Sequence, residues 1–188
     1  MGVVKTLKHK HEKILGIDAS TNSLAFCYMK NSSPVRWGEL QYSHSTNLFE
    51  RLGSIEQRAG IIVDMFPDLD YVVIEAPVKV MNMRVAIHLA YSYGIVAAKF
   101  AARGIEVTDV PPVVWQKYIG NFPFTKAEKL NLRSDFPGKS KSWYSTRERA
   151  IRKQRTIDWV KEEFNITILS NNVTDAFGVC WHAGKGKG

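Results

Sequence analysis

The chain has 188 residues, 45% of them hydrophobic, a length and composition that fit one domain of ordinary size. Its formal net charge of +8 favours a polyanionic partner over a small metabolite. No apolar run approaches the roughly 20 residues of a membrane-spanning helix, and no secretory signal precedes Lys13, so we expect a cytoplasmic protein without membrane partners. Cys27 and Cys180 lie in apolar segments and are expected to be buried, reduced thiols.

Three strands are predicted after a flexible basic arm at residues 1–13. Residues 13–19, 24–30 and 35–42 have the composition of strands, and residues 31–34 (Asn-Ser-Ser-Pro) form a turn sequence between the last two. Short connections of this kind join antiparallel neighbours, so the three strands are expected to form a meander.

Strands and helices then alternate. A helix capped by Thr46 or Asn47 is predicted to end near Phe66, and the continuous apolar run at residues 71–75 predicts a buried central strand. The elements expected after it are a helix at 83–103, a strand at 105–110, a short helix from Pro111 to about Gly120, a long loop or insertion at 121–143, a basic helix capped by Ser145 or Thr146 and ending near Phe164, and a final helix from about Asn171. This order predicts an α/β domain with a mixed five-stranded sheet flanked by helices.

The helix predicted at residues 83–103 carries a stripe of small side chains. Small residues allow a close approach of another element, which is either the sheet of the same chain or a second copy of the helix. The stripe consists of Ala86, Ala90, Gly94, Ala97, Ala98 and Ala101.

Three acidic residues stand where apolar segments begin or end. Asp18 follows the apolar core of the first strand, Glu75 ends the run at residues 71–75, and Asp175 lies at the start of the final helix. Burying an uncompensated carboxylate is costly, but a divalent cation between carboxylates offsets that cost. Because neighbouring strands lie about 5 Å apart, we expect these acids, with Asn172 one turn before Asp175, to form one pocket.

Such a pocket would hold two Mg²⁺ ions, with Mn²⁺ as a possible substitute. Two ions about 4 Å apart can activate a water molecule and stabilise the leaving oxygen of a phosphodiester. No side-chain nucleophile is then required. The acids therefore predict a metal-dependent phosphodiesterase.

The segments around these residues resemble a known family. GIDAS at residues 16–20, VIEAP at 73–77 and NVTDA at 172–176 are similar to the three signatures of RuvC-type Holliday junction resolvases, of the RNase H-like (retroviral integrase) superfamily. The resemblance covers residues 14–183 and leaves 184–188 as a flexible tail. It implies an RNase H-like fold, a homodimer, paired nicking of four-way DNA junctions, and a catalytic site of two Mg²⁺ ions held by Asp18, Glu75, Asn172 and Asp175.

One position departs from the family, which usually has Asp or His where this chain has Asn172. An asparagine offers a carbonyl oxygen to a metal but no negative charge, so weaker metal binding and slower turnover are expected. Whether Asn172 is natural or engineered stays open. Two other functions also stay open: a junction-binding protein with a crippled site, and an RNase H-like nuclease that cuts RNA–DNA hybrids. A cleavage assay of an Asn172→Asp variant with Mg²⁺ would distinguish the junction-binding protein from an enzyme.

The positive charge is concentrated in one segment. Residues 14–120 contain nine Lys and Arg against ten Asp and Glu, whereas residues 126–155 contain ten against three. A dense basic segment on a neutral core is typical of a nucleic-acid-binding face. This segment and the insertion, near 121–147, resemble the phage branch of the family, which would place the protein in the host cytoplasm. The predicted DNA contacts are Lys126, Lys129, Arg133, Lys139, Lys141, Arg147, Arg149, Arg152 and Lys153.

Two further groups of residues are candidates for contacts with DNA. The segment after Glu75 resembles the region in which such resolvases insert an apolar side chain into the crossover, which makes Val80, Met81 and Met83 candidate wedge residues. Trp143 and Tyr144 could stack on an opened base or pack on the protein surface.

Overall fold

A mixed five-stranded sheet forms the centre of the computed structural model, which describes residues 12–43, 45–77 and 81–184. The strands are β1 (Lys13–Ala19), β2 (Ser23–Lys30), β3 (Ser33–Gln41), β4 (Tyr71–Glu75) and β5 (Glu106–Val110). Their order is β3-β2-β1-β4-β5; β1 and β3 both pair antiparallel with β2, whereas β4 is parallel to β1 and β5. The predicted sheet is thus confirmed, with β1 at its centre. The predicted arm and tail lie mostly outside the described residues.

Six helices are present in the described part of the chain. They are α1 (Leu48–Met65), α2 (Met83–Ala101), α3 (Pro112–Tyr118), α4 (Lys126–Asp135), α5 (Lys141–Phe164) and α6 (Asn171–Gly184). Asn47 caps α1, as one of the two predicted alternatives, because its side chain accepts hydrogen bonds from the amides of Phe49 and Glu50.

The prediction of an irregular segment at residues 121–143 was wrong in part. Residues 126–135 form α4, which begins with a reciprocal capping box between Thr125 and Glu128. The next helix also starts earlier than predicted, because Ser140 caps it and Ser145 lies inside it. The segment that links α3 to the basic helix is therefore ordered and partly helical.

The two faces of the sheet bury separate apolar clusters. Leu15, Ile17 and Ile74 point to the face covered by α1 and α2, whereas Ile14 and Val73 point to the face covered by α3, α5 and α6. Side chains alternate along a strand, so Asp18 and Glu75 lie on the same face as Ile14 and Val73. Both acids therefore face α6. Cys27 and Cys180 are buried free thiols on this face, as predicted.

The small-residue stripe of α2 lies mostly outside the core, although its partly buried Ala97 packs against it. Ser92, Val96 and Phe100 face the core, whereas Ala90 and Gly94 are exposed. The stripe thus remains accessible to a partner. No helix in residues 12–43, 45–77 and 81–184 is long and apolar enough to cross a bilayer.

Candidate active site

The structure brings the four predicted catalytic residues to one cavity. Asp18 and Glu75 lie at the carboxyl ends of β1 and β4, which are parallel neighbours and therefore end at the same edge of the sheet. Asn172 and Asp175 lie at the start of α6, which packs against β1. All four residues line a cavity of about 360 Å³. Residues far apart in the sequence thus meet at one sheet edge.

A glycine lets α6 approach β1 closely enough to bring Asp175 to this edge. A Cβ atom at Gly16 would lie closer than 3.0 Å to the carbonyl oxygen of Ala176 and to the backbone of Cys180. The thiol of Cys180 donates a hydrogen bond to the carbonyl oxygen of Ile14 at 3.4 Å. Any larger residue at position 16 would push α6, and with it Asp175, away from Asp18.

A buried tryptophan holds Glu75. The indole Nε1 of Trp115, in α3, donates a hydrogen bond to Oε2 of Glu75 at 3.2 Å, and its ring is fully buried. The ring lies over Gly178 of α6, where an added Cβ atom would come closer than 3.0 Å to it. The orientation of Glu75 therefore depends on a contact between α3 and α6.

The three carboxylates lack a matching positive charge at close range. Burial is the main cause that raises the pKa of Asp18, and the negative charge of Asp175 raises it further. Burial also raises the pKa of Glu75, and the negative charge of Asp18 is the next largest cause. Burial also raises the pKa of Asp175 to about 7, although Lys153 opposes the shift. Among the described residues, no Lys, Arg or His nitrogen comes within 4.0 Å of these carboxylates. A bound cation would relieve this repulsion.

The residues present fit a hard divalent cation by their chemistry. Mg²⁺ and Mn²⁺ prefer carboxylate and carbonyl oxygens, which Asp18, Glu75, Asp175 and Asn172 provide. However, no three His, Cys, Asp or Glu side chains within residues 12–43, 45–77 and 81–184 converge tightly enough to hold one ion. Small side-chain movements would therefore have to accompany metal binding.

Sequence reasoning missed three positions next to the site. Glu39 accepts a hydrogen bond from the amide of Asn172 at 2.8 Å, and Ser23 accepts a second one at 3.1 Å. Trp115, which orients Glu75, was also missed. The register of the sheet would have revealed Glu39, because Asp18 pairs with Ala25 and Ala25 pairs with Glu39. That register cannot be read from the sequence, since β3 begins two residues earlier than its pattern predicts.

The predicted DNA contacts fall into two groups. Three residues of α5 lie at the site: Arg149 and Lys153 line the cavity with the acids, and Arg152 lines an adjoining cavity with Glu75 and Asp175. The other six line neither cavity and lie on α4, on the turn after it and on the first half of α5: Lys126, Lys129, Arg133, Lys139, Lys141 and Arg147.

Aromatic side chains organise the surface around the turn between α4 and α5. Trp143 packs against the rings of Phe136 and Tyr144, with centroids 5.2 and 5.3 Å away. Arg133 lies over the ring of Tyr144, and Lys139 lies over that of Trp143. Trp143 and Tyr144 therefore pack on the surface of this chain and hold basic side chains there.

Two of the three wedge candidates, Met81 and Met83, are exposed. Met81 is 98% exposed and Met83, the first residue of α2, is 72% exposed. Val80 lies outside the described residues. Both methionines are therefore free to contact a partner, although neither lines the cavity that contains the acids.

Comparison with solved structures identifies the fold. RuvC of Thermus thermophilus in complex with a Holliday junction substrate superposes with a TM-score of 0.66, at 13% identity over 92% of each chain. The chain has an RNase H-like fold. A second structure of Thermus thermophilus RuvC gives a TM-score of 0.62, at 13% identity, and covers 90% of this chain and 92% of that one.

The yeast mitochondrial Holliday junction resolvase Ydc2 is also similar. Its TM-score is 0.51, at 11% identity over 96% of this chain and 80% of the yeast chain. No family model and no curated protein sequence matches. The predicted resemblance to RuvC-type resolvases is thus confirmed for the RNase H-like fold, which spans nearly the whole chain.

Proposed function

We propose that this protein is an endonuclease that resolves four-way DNA junctions by paired, metal-dependent phosphodiester hydrolysis. The observation that carries the proposal is the convergence of Asp18, Glu75 and Asp175 in one cavity beside the basic residues Arg149 and Lys153. Acids alone would repel a phosphodiester, whereas acids with cations at their border can hold a metal and also attract DNA.

The metal is proposed to be Mg²⁺, replaceable by Mn²⁺, with two ions per site held by Asp18, Glu75, Asn172 and Asp175. When bound, the ions would supply an activated water and stabilise the leaving oxygen. Lys153 is part-buried and lines the cavity with the acids, so its ammonium group can bind the phosphate that is cut.

The DNA is proposed to lie across α5, α4 and the turn between them. Nine basic residues follow this path, and contacts to phosphates would fix the position of a junction without reading its sequence. Met81 and Met83 are the described candidates for an apolar contact at the crossover. Their exposure supports that role.

The protein is proposed to act as a homodimer through α2. The exposed small residues Ala90 and Gly94 and the exposed side chains of Ile87 and Tyr91 support this. A two-fold dimer would present two sites to the two strands of a two-fold symmetric junction. The reaction would take place in a cytoplasm, that of the host if a phage encodes the chain.

A cleavage assay tests the proposal. The protein, with Mg²⁺ or Mn²⁺, is incubated with a four-way junction, a linear duplex of the same sequence and an RNA–DNA hybrid. We expect cleavage of the junction alone, and a loss of at least about 100-fold in Asp18→Asn, because a missing carboxylate disrupts metal-assisted hydrolysis. Asp64→Asn, which changes an exposed acid on α1, serves as the control and should keep full activity.

Each other result contradicts a defined part of the proposal. Cleavage of the hybrid in preference to the junction would indicate a ribonuclease. Tight junction binding without cleavage in either metal would indicate a binding protein. Unchanged cleavage by Asp18→Asn would mean that the acidic pocket takes no part in the reaction.

A further inference from the structure

We propose that Glu39 is a positioning residue that orients Asn172, and that Asn172 is a fitted, neutral member of the site rather than a defect. This inference rests on the proposed function and deepens it, because it assigns a metal-facing atom and its support. It also reverses the expectation that an aspartate at position 172 would repair the site.

The sheet and α6 bring the two residues together. Asp18 on β1 pairs with Ala25 on β2, which pairs with Glu39 on β3, so the side chains of Asp18 and Glu39 lie on the same face of the sheet. The start of α6 covers that face. Asn172 lies there with Ser170, whose hydroxyl donates a hydrogen bond to Oε2 of Glu39 at 2.7 Å.

The hydrogen bonds fix which way the amide of Asn172 points. Its Nδ2 atom donates to Oε1 of Glu39 at 2.8 Å and to Oγ of Ser23 at 3.1 Å. A carboxylate only accepts hydrogen bonds, so the reversed amide would place two acceptor oxygens against each other. Because both N–H groups of the amide are used, the carbonyl oxygen Oδ1 is the atom left for a cation in the cavity that Asn172 lines.

An aspartate at position 172 would not fit this arrangement. Its carboxylate would stand at hydrogen-bonding distance from the carboxylate of Glu39, and the single hydroxyl of Ser23, which lies beside both groups, could donate to only one of them. Like charges at this distance repel strongly away from bulk water. The negative charge at this point of the site is therefore carried by Glu39, which does not itself line the cavity that Asn172 lines.

A double-mutant cycle on the metal-free protein tests the pairing. Thermal unfolding is measured for the wild type, Asn172→Asp, Glu39→Gln and the double variant, with Glu56→Gln on α1 as the matched control. We expect Asn172→Asp to lower Tm by about 4 °C or more, and Glu39→Gln alone to lower it by less than about 2 °C. The double variant should recover at least half of the larger loss, because a glutamine at position 39 can donate a hydrogen bond to an aspartate at position 172. Losses that simply add would overturn the pairing.

Calorimetric titration with Mg²⁺, without DNA, tests the positioning role. In Glu39→Ala the amide of Asn172 loses its main acceptor, so we expect the dissociation constant for Mg²⁺ to rise by about 10-fold. Glu39→Gln keeps an acceptor oxygen and should stay within about 3-fold of the wild type. Glu56→Ala should bind as the wild type does. An unchanged constant in Glu39→Ala, or equal losses in Glu39→Ala and Glu39→Gln, would overturn the assignment.

These measurements separate the inference from the proposed function. The unfolding cycle uses no metal, and the titration uses no DNA, so both can be read from a protein that cuts nothing. A coupled pair with normal Mg²⁺ binding but no junction cleavage would leave Glu39 and Asn172 as assigned and would contradict the nuclease alone.

Discussion

At the scale of residues, one glycine makes room for the side chain that holds Glu75, a proposed metal ligand. Gly178 of α6 leaves room for the ring of Trp115, and Trp115 donates the hydrogen bond that holds Glu75. Neither residue lines the cavity that contains all four predicted ligands. Their effect on the metal site would therefore be indirect, through the direction in which Glu75 points.

We predict that Gly178→Ala weakens both the fold and the metal site. The added methyl group displaces a fully buried ring, and overpacking of this kind costs about 1–3 kcal/mol, which corresponds to a fall in Tm of roughly 2–12 °C. Because Trp115 moves, Glu75 loses its hydrogen bond and the dissociation constant for Mg²⁺ should rise several-fold. Thermal unfolding and calorimetric titration measure the two effects.

Gly53→Ala is the control for this experiment. Gly53 lies inside α1, and a Cβ atom there would meet nothing within 4 Å. Alanine favours helices over glycine, so this variant should be equal to or slightly more stable than the wild type and should bind Mg²⁺ normally. If Gly178→Ala binds Mg²⁺ as well as Gly53→Ala does, the Trp115 contact has no part in the site.

At the scale of elements, the strands and helices that could be predicted are those whose apolar residues follow a clear pattern. The strands β1 and β4 and the helix α6 carry continuous or periodic apolar residues, and each carries one of the three acids. The helix α4 was missed because its residues are mostly polar, although Thr125 and Glu128 gave the local signal of a capping box. The role of Glu39 could not be predicted, because it depends on the register of β3 and on the position of α6.

The helix α4 adds a basic surface, away from the cavity that contains the acids, which is proposed to bind DNA. Lys126, Lys129 and Arg133 are exposed on it, while Arg155 of α5 pairs with Glu128 at 2.6 Å and ties the two helices together. Because these three cations line neither cavity with the acids, they should affect the binding of DNA more than its cleavage.

We predict that the triple variant Lys126→Gln, Lys129→Gln, Arg133→Gln binds junctions more weakly without losing catalysis. Each lost phosphate contact should reduce the slope of log affinity against log salt by about 0.9, so up to about 2.7 in total. Binding assays at several salt concentrations measure the slope, and single-turnover cleavage at saturating enzyme should stay unchanged.

A variant with the same loss of charge elsewhere is the control. Lys30→Gln, Arg36→Gln, Lys161→Gln removes three exposed positive charges outside the basic surface of α4 and the first half of α5. It should change the salt slope much less. An equal change in both triple variants would mean that net charge, rather than the surface of α4, attracts the DNA.

At the scale of the whole molecule, α2 borders two different surfaces. Val85, Leu89 and Tyr93 line the cavity that contains the acids, whereas the side chains of Ile87 and Tyr91 are exposed on the same helix. Contiguous exposed apolar patches usually mark an interface. In the proposed dimer, the exposed side of α2 would contact a second copy while the cavity stays open to DNA.

We predict that Ala90→Arg separates dimer formation from catalysis. Ala90 is exposed on α2, so arginine there leaves the core intact but places a bulky cation against the same residue of a two-fold partner. Sedimentation should give the mass of a dimer for the wild type and half that mass for Ala90→Arg. On a supercoiled plasmid with one cruciform, the wild type should make the linear product of paired cuts, whereas the variant should release mainly the nicked circle.

Gln57→Arg, which adds the same charge on the exposed face of α1, should behave as the wild type. A dimer that persists in Ala90→Arg with paired cuts would exclude α2 as the interface, because a charged side chain of that size cannot be buried at the centre of a symmetric contact without large cost.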